Sequence, residues 1–426
     1  MEAGARAVGL GVNEFRSSRR QAARARELRH GVLGVSLSLW SLKQPGYPTM
    51  IGTVTVNPSI DQHILIDKLT KDDAIRAREI RRDPGGKGIN VSRVVKELGG
   101  ETVAFGISGG CAGYMLRSLM ADHDIPFESI EVPEETRINV ILTDRSDRTQ
   151  TRISATGPRM TLTELEQFTE KIVSFDPLPA WWVLGGSMPP GVPDDCYAKL
   201  ITTLQQRGAK CLLDADDEVL QLGLQAKPYL IKPNEHEFAR LVGRSLPDEQ
   251  AMVGAARQLI EGGVQVVAIT LGRKGALIVS QDAAFHVTSP DVEVKSKVGA
   301  GDSFLAGFVF ALSQGQSLES AIRLGTAAGT AAVMHEGTQL CRREDVERLV
   351  DQITITPLKT AVSPQTSTKS AKVRDVVCGM DINPQIVAFS TSYHGRTHHF
   401  CSLKCQRQFE AEPSRFPSQP SRSETP

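Results

Sequence analysis

The stretch Val298-Gly299-Ala300-Gly301-Asp302-Ser303-Phe304, which continues into the apolar run Leu305 to Leu312, decides how the rest of the chain is read. Small residues lead into a carboxylate, and the carboxylate leads into a helix. Backbone N–H groups at a helix N-terminus gather negative charge, and residues without bulk let an anion come close. An Asp on the first turn then lies beside that anion, where it can act as a base. Taken alone, the same residues also read as a Gly-rich turn with Asp as an ordinary helix cap. The surrounding chain has to separate the two.

Upstream of this turn, strands and helices alternate. Ile51 to Val56, Thr102 to Ile107, Trp181 to Leu184, Lys210 to Leu213, Tyr229 to Lys232 and Val264 to Thr270 read as strands. Val91 to Leu98, Tyr114 to Asp122, Thr161 to Val173, Asp195 to Arg207 and Val253 to Ile260 read as helices, the third opened by a Thr161/Glu164 capping box. The pattern predicts an α/β fold: a doubly wound, mainly parallel sheet with helices on both faces. Ligands of such sheets lie across the carboxyl ends of the strands. Ser187, Asp214, Lys232, Asn234, Gly272 and the Gly299–Asp302 turn all fall there. A strand from Ile64 to Leu69 and a hairpin from Thr136 to Ser154 interrupt the alternation and predict a small separate lid sheet. Arg137 and Asn139 share one of its faces by the two-residue period. Pro84 to Asn90 is a second Gly-rich turn opening a helix, without the spacing of a P-loop.

The totals set bounds on this picture. The 426 residues leave room for two or three domains. Lys+Arg and Asp+Glu are both 49, so net charge gives no sign of a nucleic-acid partner. Phe304 to Leu312 is too short to cross a membrane. Four of the seven cysteines (Cys111, Cys196, Cys211, Cys341) are scattered, as reduced thiols of a cytoplasmic enzyme would be. Residues 1–49 are Arg-rich and poor in acids. They read as a disordered extension, with a targeting peptide as the other reading and Met50 as a candidate translation start.

Three motifs coincide: Pro84-Gly-Gly-Lys-Gly-Ile-Asn-Val91, Lys232-Pro-Asn-Glu-His-Glu237 and Val298-Gly-Ala-Gly-Asp-Ser303. In this order, over residues 51–350, the chain resembles the ribokinase-like (PfkB) carbohydrate kinases. Thr55-Val-Asn-Pro-Ser-Ile-Asp61 and Gly185-Gly-Ser-Met-Pro-Pro-Gly191 resemble the phosphosugar branch: 1-phosphofructokinases, tagatose-6-phosphate kinases and the minor 6-phosphofructokinase. Gly337-Thr-Gln-Leu-Cys341 is most similar to the last. Lys87 is more similar to the other two, because the minor enzyme carries Gly there.

The resemblance implies a three-layer fold and phosphoryl transfer from ATP, with Mg²⁺, to a phosphorylated ketohexose. Fructose 6-phosphate is the first choice, and fructose 1-phosphate and tagatose 6-phosphate are the alternatives. It implies a homodimer joined through the lid, with no nucleic-acid or membrane partner. It also implies roles. Asp302 is the general base, and the backbone of Gly299, Ala300 and Gly301 is the anion hole. Asp61, Gly85, Gly86, Lys87, Asn90 and Asn139 form the sugar site. Arg137, with Arg76 and Ser187, holds the sugar's own phosphate. Asn234 and Glu237 organise Mg²⁺ through water. Lys232, Thr270, Gly272 and Gly275 contact the nucleotide phosphates. Plainer readings stand beside these: Asp61 as a turn residue, Arg76 as a solvated surface group, and Glu237 as an acid favoured by a helix dipole. The small residues from Gly325 to Ala332 read equally as tight helix packing or as a wall for adenine.

Residues 355–372 have linker composition. Beyond them, Asp375-Val-Val-Cys378-Gly-Met380, Tyr393-His-Gly-Arg-Thr-His-His-Phe-Cys401-Ser-Leu-Lys-Cys405 and Phe409 resemble a YHS domain over residues 373–417. A segment this small needs a staple. Cys378, Cys401 and Cys405 can share Zn²⁺ or another thiophilic metal, with His398, His399, an Asp or water as fourth ligand. The plainer reading is a Cys/Phe mini-core. The tail from Ser418 is expected to be disordered. A metal-sensing or metal-delivery protein with a vestigial kinase body is the alternative of a different class. The presence of Asp302, its glycines, Asn234 and Glu237 argues against it.

Overall fold

A computed structural model describes residues 50–358, 373–379, 381–382, 389–400 and 403–416. The expectations for residues 1–49, for most of the linker, for Cys401 and for the tail lie outside the described residues.

The strands are β1 (Ile51–Thr55), β2 (Ser59–Ile66), β3 (Glu79–Gly85), β4 (Thr102–Ser108), β5 (Phe127–Glu131), β6 (Arg137–Asp144), β7 (Thr149–Ile153), β8 (Trp181–Gly185), β9 (Lys210–Asp214), β10 (Leu230–Ile231), β11 (Val266–Thr270), β12 (Ala276–Ser280), β13 (Ala284–Thr288) and β14 (Thr354–Pro357). Ten of them form one sheet in the order β14-β13-β12-β11-β10-β9-β8-β1-β4-β5. Pairing is parallel from β11 to β5 and antiparallel from β11 to β14. The alternation read from the sequence is thus realised as a mainly parallel sheet.

Its central strands are buried, as a sheet covered on both faces requires. All five residues of β1 are buried. Phe105, Trp182, Phe168 and Tyr197 are fully enclosed in the main apolar cluster, and each such side chain contributes roughly 2–3 kcal/mol of burial. Gly52 lets the Trp182 ring press against β1: a Cβ there would sit 2.6 Å from the ring.

Helix Ala300–Ser313 carries the anion turn, and it packs on helix Leu318–Val333. A Cβ on Gly307 would lie 2.7 Å from the Leu324 carbonyl, and one on Gly325 would lie 2.7 Å from the Phe304 carbonyl. The two backbones touch there, so helix packing accounts for the small residue at Gly325.

β3, β2, β6 and β7 form the separate lid sheet. The register places Asp61 opposite Asp83 and Asn139, and His63 opposite Arg81. These polar residues share one face. The other face shows apolar side chains, with Ile80, Ile138 and Ile153 exposed at 55%, 40% and 62%.

Three expectations need correction. The second strand runs over Ser59–Ile66, not from Ile64 to Leu69. Asp61 is therefore a buried mid-strand residue and not a turn Asp. Its inward polar side chain hides the apolar alternation that marks a strand. β5 went unread because it is an edge strand of mostly half-buried residues. Ile355 to Pro357 fall in the expected linker, yet with Thr354 they pair with β13. Pro357 ends the strand at the sheet's edge, where a missing N–H is tolerated.

In the C-terminal module, β15 (Val373–Arg374) pairs with β16 (Asp381–Ile382), and β17 (Phe389–Tyr393) pairs with β18 (Arg396–Phe400). Helix Leu403–Ala411 follows. Phe400, Cys405 and Phe409 form its small core. Among the described residues, no helix is long and apolar enough to cross a membrane.

Candidate active site

Gly299 opens helix Ala300–Ser313 in the left-handed region, at φ 77°, which a glycine adopts freely. Asp302 follows on the first turn but does not cap the helix. Its Oδ2 instead accepts a hydrogen bond of 2.8 Å from Asn90 Nδ2. The ordinary-cap reading therefore fails. Burial, joined by the negative charge of Asp214, raises the Asp302 carboxyl above its usual range, and the Asn90 bond only partly opposes this. Such a group is a stronger base than a surface Asp. Asn90 is itself held from behind, its Oδ1 accepting from Arg93 Nη1 at 3.3 Å.

Beside the base, Asp214 ends β9 with its side chain 2% exposed. Lys87 Nζ lies 3.0 Å from one of its oxygens, and Lys232 Nζ lies 3.1 Å from the other. Burial alone would raise Asp214; the two ammonium groups outweigh it and hold the carboxyl below its ordinary value. Lys87 also pairs with Asp216 at 3.1 Å. A Cβ on Gly301 would lie 2.9 Å from Lys232 Nζ, so this ammonium sits against the anion turn. Amides, an ammonium and a base thus surround one spot suited to a phosphoryl group.

Across from it, the lid presents Asp61. Its Oδ1 accepts from Ser59 Oγ at 2.9 Å and from Asn139 Nδ2 at 2.8 Å. A Cβ on Gly85 would stand 2.6 Å from the Asp61 carboxyl carbon, so this turn must pass close. The next residue, Gly86, has φ 120°. Arg137 donates to the carbonyls of Asn57 at 2.7 Å and Ala155 at 3.1 Å. Asn57 Nδ2 in turn lies 3.4 Å from Ser187 Oγ. A groove of about 490 Å³ opens here, lined by Arg137, Ser187, Met188, Pro190 and Gly191 among others. Arg137 Nε and Asn57 Oδ1 are buried without a protein partner beside it.

The structure distributes the remaining expected residues unevenly. Lys87 joins the phosphoryl side through Asp214 and Asp216, not the lid. Arg76 is exposed between β2 and β3 and makes no ion pair with this cluster among the described residues. Asn234 and Glu237 form a reciprocal capping box, Oδ1 accepting from the Glu237 N–H at 2.9 Å and Oε2 from the Asn234 N–H at 2.8 Å. Glu237 is thus an acid on the first turn of helix Glu235–Val242, as the helix-dipole reading has it. The capping box leaves the second Glu237 oxygen uncommitted. Burial, with the charge of Asp216, holds Glu237 above its ordinary value against the opposing Asn234 bond. A carboxylate in that state fits a water-bridged Mg²⁺. Asn234 also bridges to Thr270 at the end of β11. Gly272 borders open space, whereas a Cβ on Gly275 would run into the Val287 carbonyl. Sheet packing thus suffices to explain Gly275.

In the C-terminal module, donor atoms of Asp375, Cys378 and Cys405 all lie within 4.8 Å of one another. Cys401 lies outside the described residues. His398 is not part of this group: it packs on the Phe409 ring at 4.7 Å. Asp375, and not His398 or His399, stands with the two thiols.

Sequence reasoning missed Asp83, Arg93, His63 and Thr338. Thr338 Oγ1 donates to Asp83 Oδ2 at 2.6 Å and lies 2.8 Å from His63 Nε2. Nothing in the local sequence joins residues 255 and 275 positions apart.

Residues 49–345 match the family described as pfkB family carbohydrate kinase, and residues 373–419 match the YHS domain. The chain is 33% identical over 301 residues to ATP-dependent 6-phosphofructokinase isozyme 2 of Escherichia coli, covering 70% of this chain and 97% of that protein. It is 33% identical over 309 residues to the 1-phosphofructokinase of Bacillus subtilis, covering 72% and 100%. The solved structure of phosphofructokinase-2 from Escherichia coli in complex with substrates and products is 32% identical, covers 71% of this chain and 98% of that one, and gives a TM-score of 0.68.

The raised Asp302 carboxyl has a consequence for stability. The folded state binds its proton more tightly than the unfolded state does, so stability falls as pH rises through the folded value. Replacing the charge removes that cost. Asp302→Asn is expected to melt above the wild type at pH 7.5, with the gain gone near pH 3.5, below the ordinary carboxylate value of about 3.9. Thermal melts of both proteins across this range check it, and a variant that melts lower at pH 7.5 counts against the burial argument.

Proposed function

The chain belongs to the pfkB family of carbohydrate kinases and carries a YHS domain, and on that footing we propose that it transfers the γ-phosphoryl group of ATP to fructose 6-phosphate, giving fructose 1,6-bisphosphate and ADP. An ATP-dependent sugar kinase of phosphofructokinase type is what the family and its relatives establish. The observation that supports phosphoryl transfer here is the Asn90-held Asp302 carboxylate at the mouth of the Gly299–Gly301 turn, and the Escherichia coli relative supports fructose 6-phosphate as the acceptor.

Asp61 and Asn139 hold sugar hydroxyls from the lid. Arg137 and Ser187 face the sugar's phosphate in the adjoining groove. Asp302 takes the proton from the attacking hydroxyl as its oxygen bonds to the γ-phosphorus. The bond to the β–γ bridging oxygen breaks, and ADP leaves. Charge on the transferring group falls on the amides of Gly299, Ala300 and Gly301 and on Lys232. Bound Mg²⁺ supplies further neutralisation of the phosphates, and Glu237 with Asn234 would hold it through water. Lys87 favours a second reading, a 1-phosphofructokinase, which the Bacillus subtilis relative also supports.

ADP release measured across fructose 6-phosphate, fructose 1-phosphate and tagatose 6-phosphate decides among these, with the highest kcat/KM expected for fructose 6-phosphate. Best turnover on an unphosphorylated sugar or a nucleoside would sink both readings. Asp302→Asn should cut kcat by about 10²–10⁴-fold with the fold intact.

For assembly, the exposed face bearing Ile80, Ile138 and Ile153 supports a homodimer joined lid to lid. Light scattering should give twice the chain mass for the wild type and once that mass for Ile138→Lys/Ile153→Lys. A monomeric wild type rejects the dimer.

For the YHS domain, the Asp375/Cys378/Cys405 cluster supports a thiophilic metal, Zn²⁺ first. Elemental analysis of purified protein should find about one equivalent, lost in Cys378→Ser/Cys405→Ser. Equal metal in that variant removes the site.

A further inference from the structure

We propose that Thr338 is a positioning residue that latches the lid to Asp302 and, with Gly337 before it, to the Gly299 turn through hydrogen bonds and one ion pair. The proposal rests on the kinase reading above. Thr338 lies on the connection between helices Leu318–Val333 and Arg343–Leu349, far from the lid in sequence. It is 1% exposed. A hydroxyl carries one proton, and the Asp83 carboxylate on β3 takes it at 2.6 Å. The His63 ring on β2 meets the same residue: its Nε2 lies 2.8 Å from Oγ1 and accepts from the Thr338 N–H at 3.2 Å. Burial and the Arg81 charge keep His63 below its ordinary pKa, which fits a neutral ring here. The edge strand β3 and its neighbour β2 thus close on one residue.

Two polar chains leave this point. In the first, Asp83 Oδ1 faces Arg93 Nη2 at 3.6 Å, Arg93 Nη1 donates to Asn90 Oδ1 at 3.3 Å, and Asn90 Nδ2 donates to Asp302 at 2.8 Å. In the second, the Gly337 carbonyl accepts from Ser296 Oγ at 3.0 Å, and that oxygen accepts from the Val298 N–H at 3.2 Å. Val298 begins the anion turn. Leu340 meanwhile fills the space beside Gly299, where a Cβ would overlap it. Moving the lid away separates Asp83 from Thr338 and loosens the support of Arg93 and Asn90. The base and the anion turn are therefore set in place when the lid is down on a sugar phosphate.

The test uses the full-length protein with Thr338→Val, which keeps the shape, and Thr338→Ser, which keeps the hydroxyl. Thr338→Val should lower kcat/KM for fructose 6-phosphate by about tenfold, as loss of a hydrogen bond to a charged group does, with the KM for ATP held within about twofold. Thr338→Ser should stay within about threefold of the wild type. Amide hydrogen exchange without substrate should quicken in Ser59–Ile66 and Glu79–Gly85 of the Val variant while β1 and β4 keep their rates. Unchanged exchange in the lid overturns the latch, and so does a Ser variant as impaired as the Val variant. Faster lid exchange in Thr338→Val, beside a wild type that phosphorylates no sugar phosphate, would uphold the latch and reject the kinase reading instead.

Discussion

A carboxylate with almost no exposure cannot stay charged alone. Asp214 does so because Lys87 and Lys232 each take one of its oxygens. Leaving such a charge without partners costs several kcal/mol. The pair of lysines therefore binds three parts of the fold together. Lys87 opens the helix that follows the lid strand β3, Asp214 ends β9, and Lys232 directly follows the neighbouring β10. Lys232 also reaches the anion turn at Gly301. Positive charge held at that position is ready to meet a phosphate.

The same negative charge acts on Asp302. Asp214 and burial both make the Asp302 proton harder to lose, while Asn90 favours the ionised form. One buried acid thus has two effects: it fixes the ammonium groups, and it raises the basicity of its neighbour. On the polar lid face, Asp61 is held by Ser59 and Asn139. The lid is tied back to the body through Asp83, Arg93 and Thr338, which is the contact the proposed latch depends on.

Motif residues were legible where the reason for them is local. The Gly299–Asp302 turn could be read as an anion site because helix N-termini attract anions whatever surrounds them. The alternation of strands and helices predicted the sheet because a parallel pair needs a crossover. The Asn234/Glu237 spacing was visible for the same local reason, although it serves as a capping box as well. That Asp61 lies in mid-strand is not legible, because a strand whose face is polar loses its apolar alternation. Lys87 lies in a motif that resembles the sugar site, and its pairing with Asp214 and Asp216, 127 and 129 residues away, leaves no local trace.

Sequence by itself determined the layered α/β body and the lid, because periodicity and turn chemistry act over a few residues, and its motifs singled out Asp302 as the candidate base. Tertiary structure alone decided what Asp302 rests on. Which ammonium meets Asp214, that Asn90 serves Asp302, and that Thr338 joins the lid to the body depend on strand order and register. No local pattern encodes those. The Gly299–Asp302 turn is a helix start in the sequence, and it becomes a candidate phosphoryl site only once Lys232 and Asn90 fold against it.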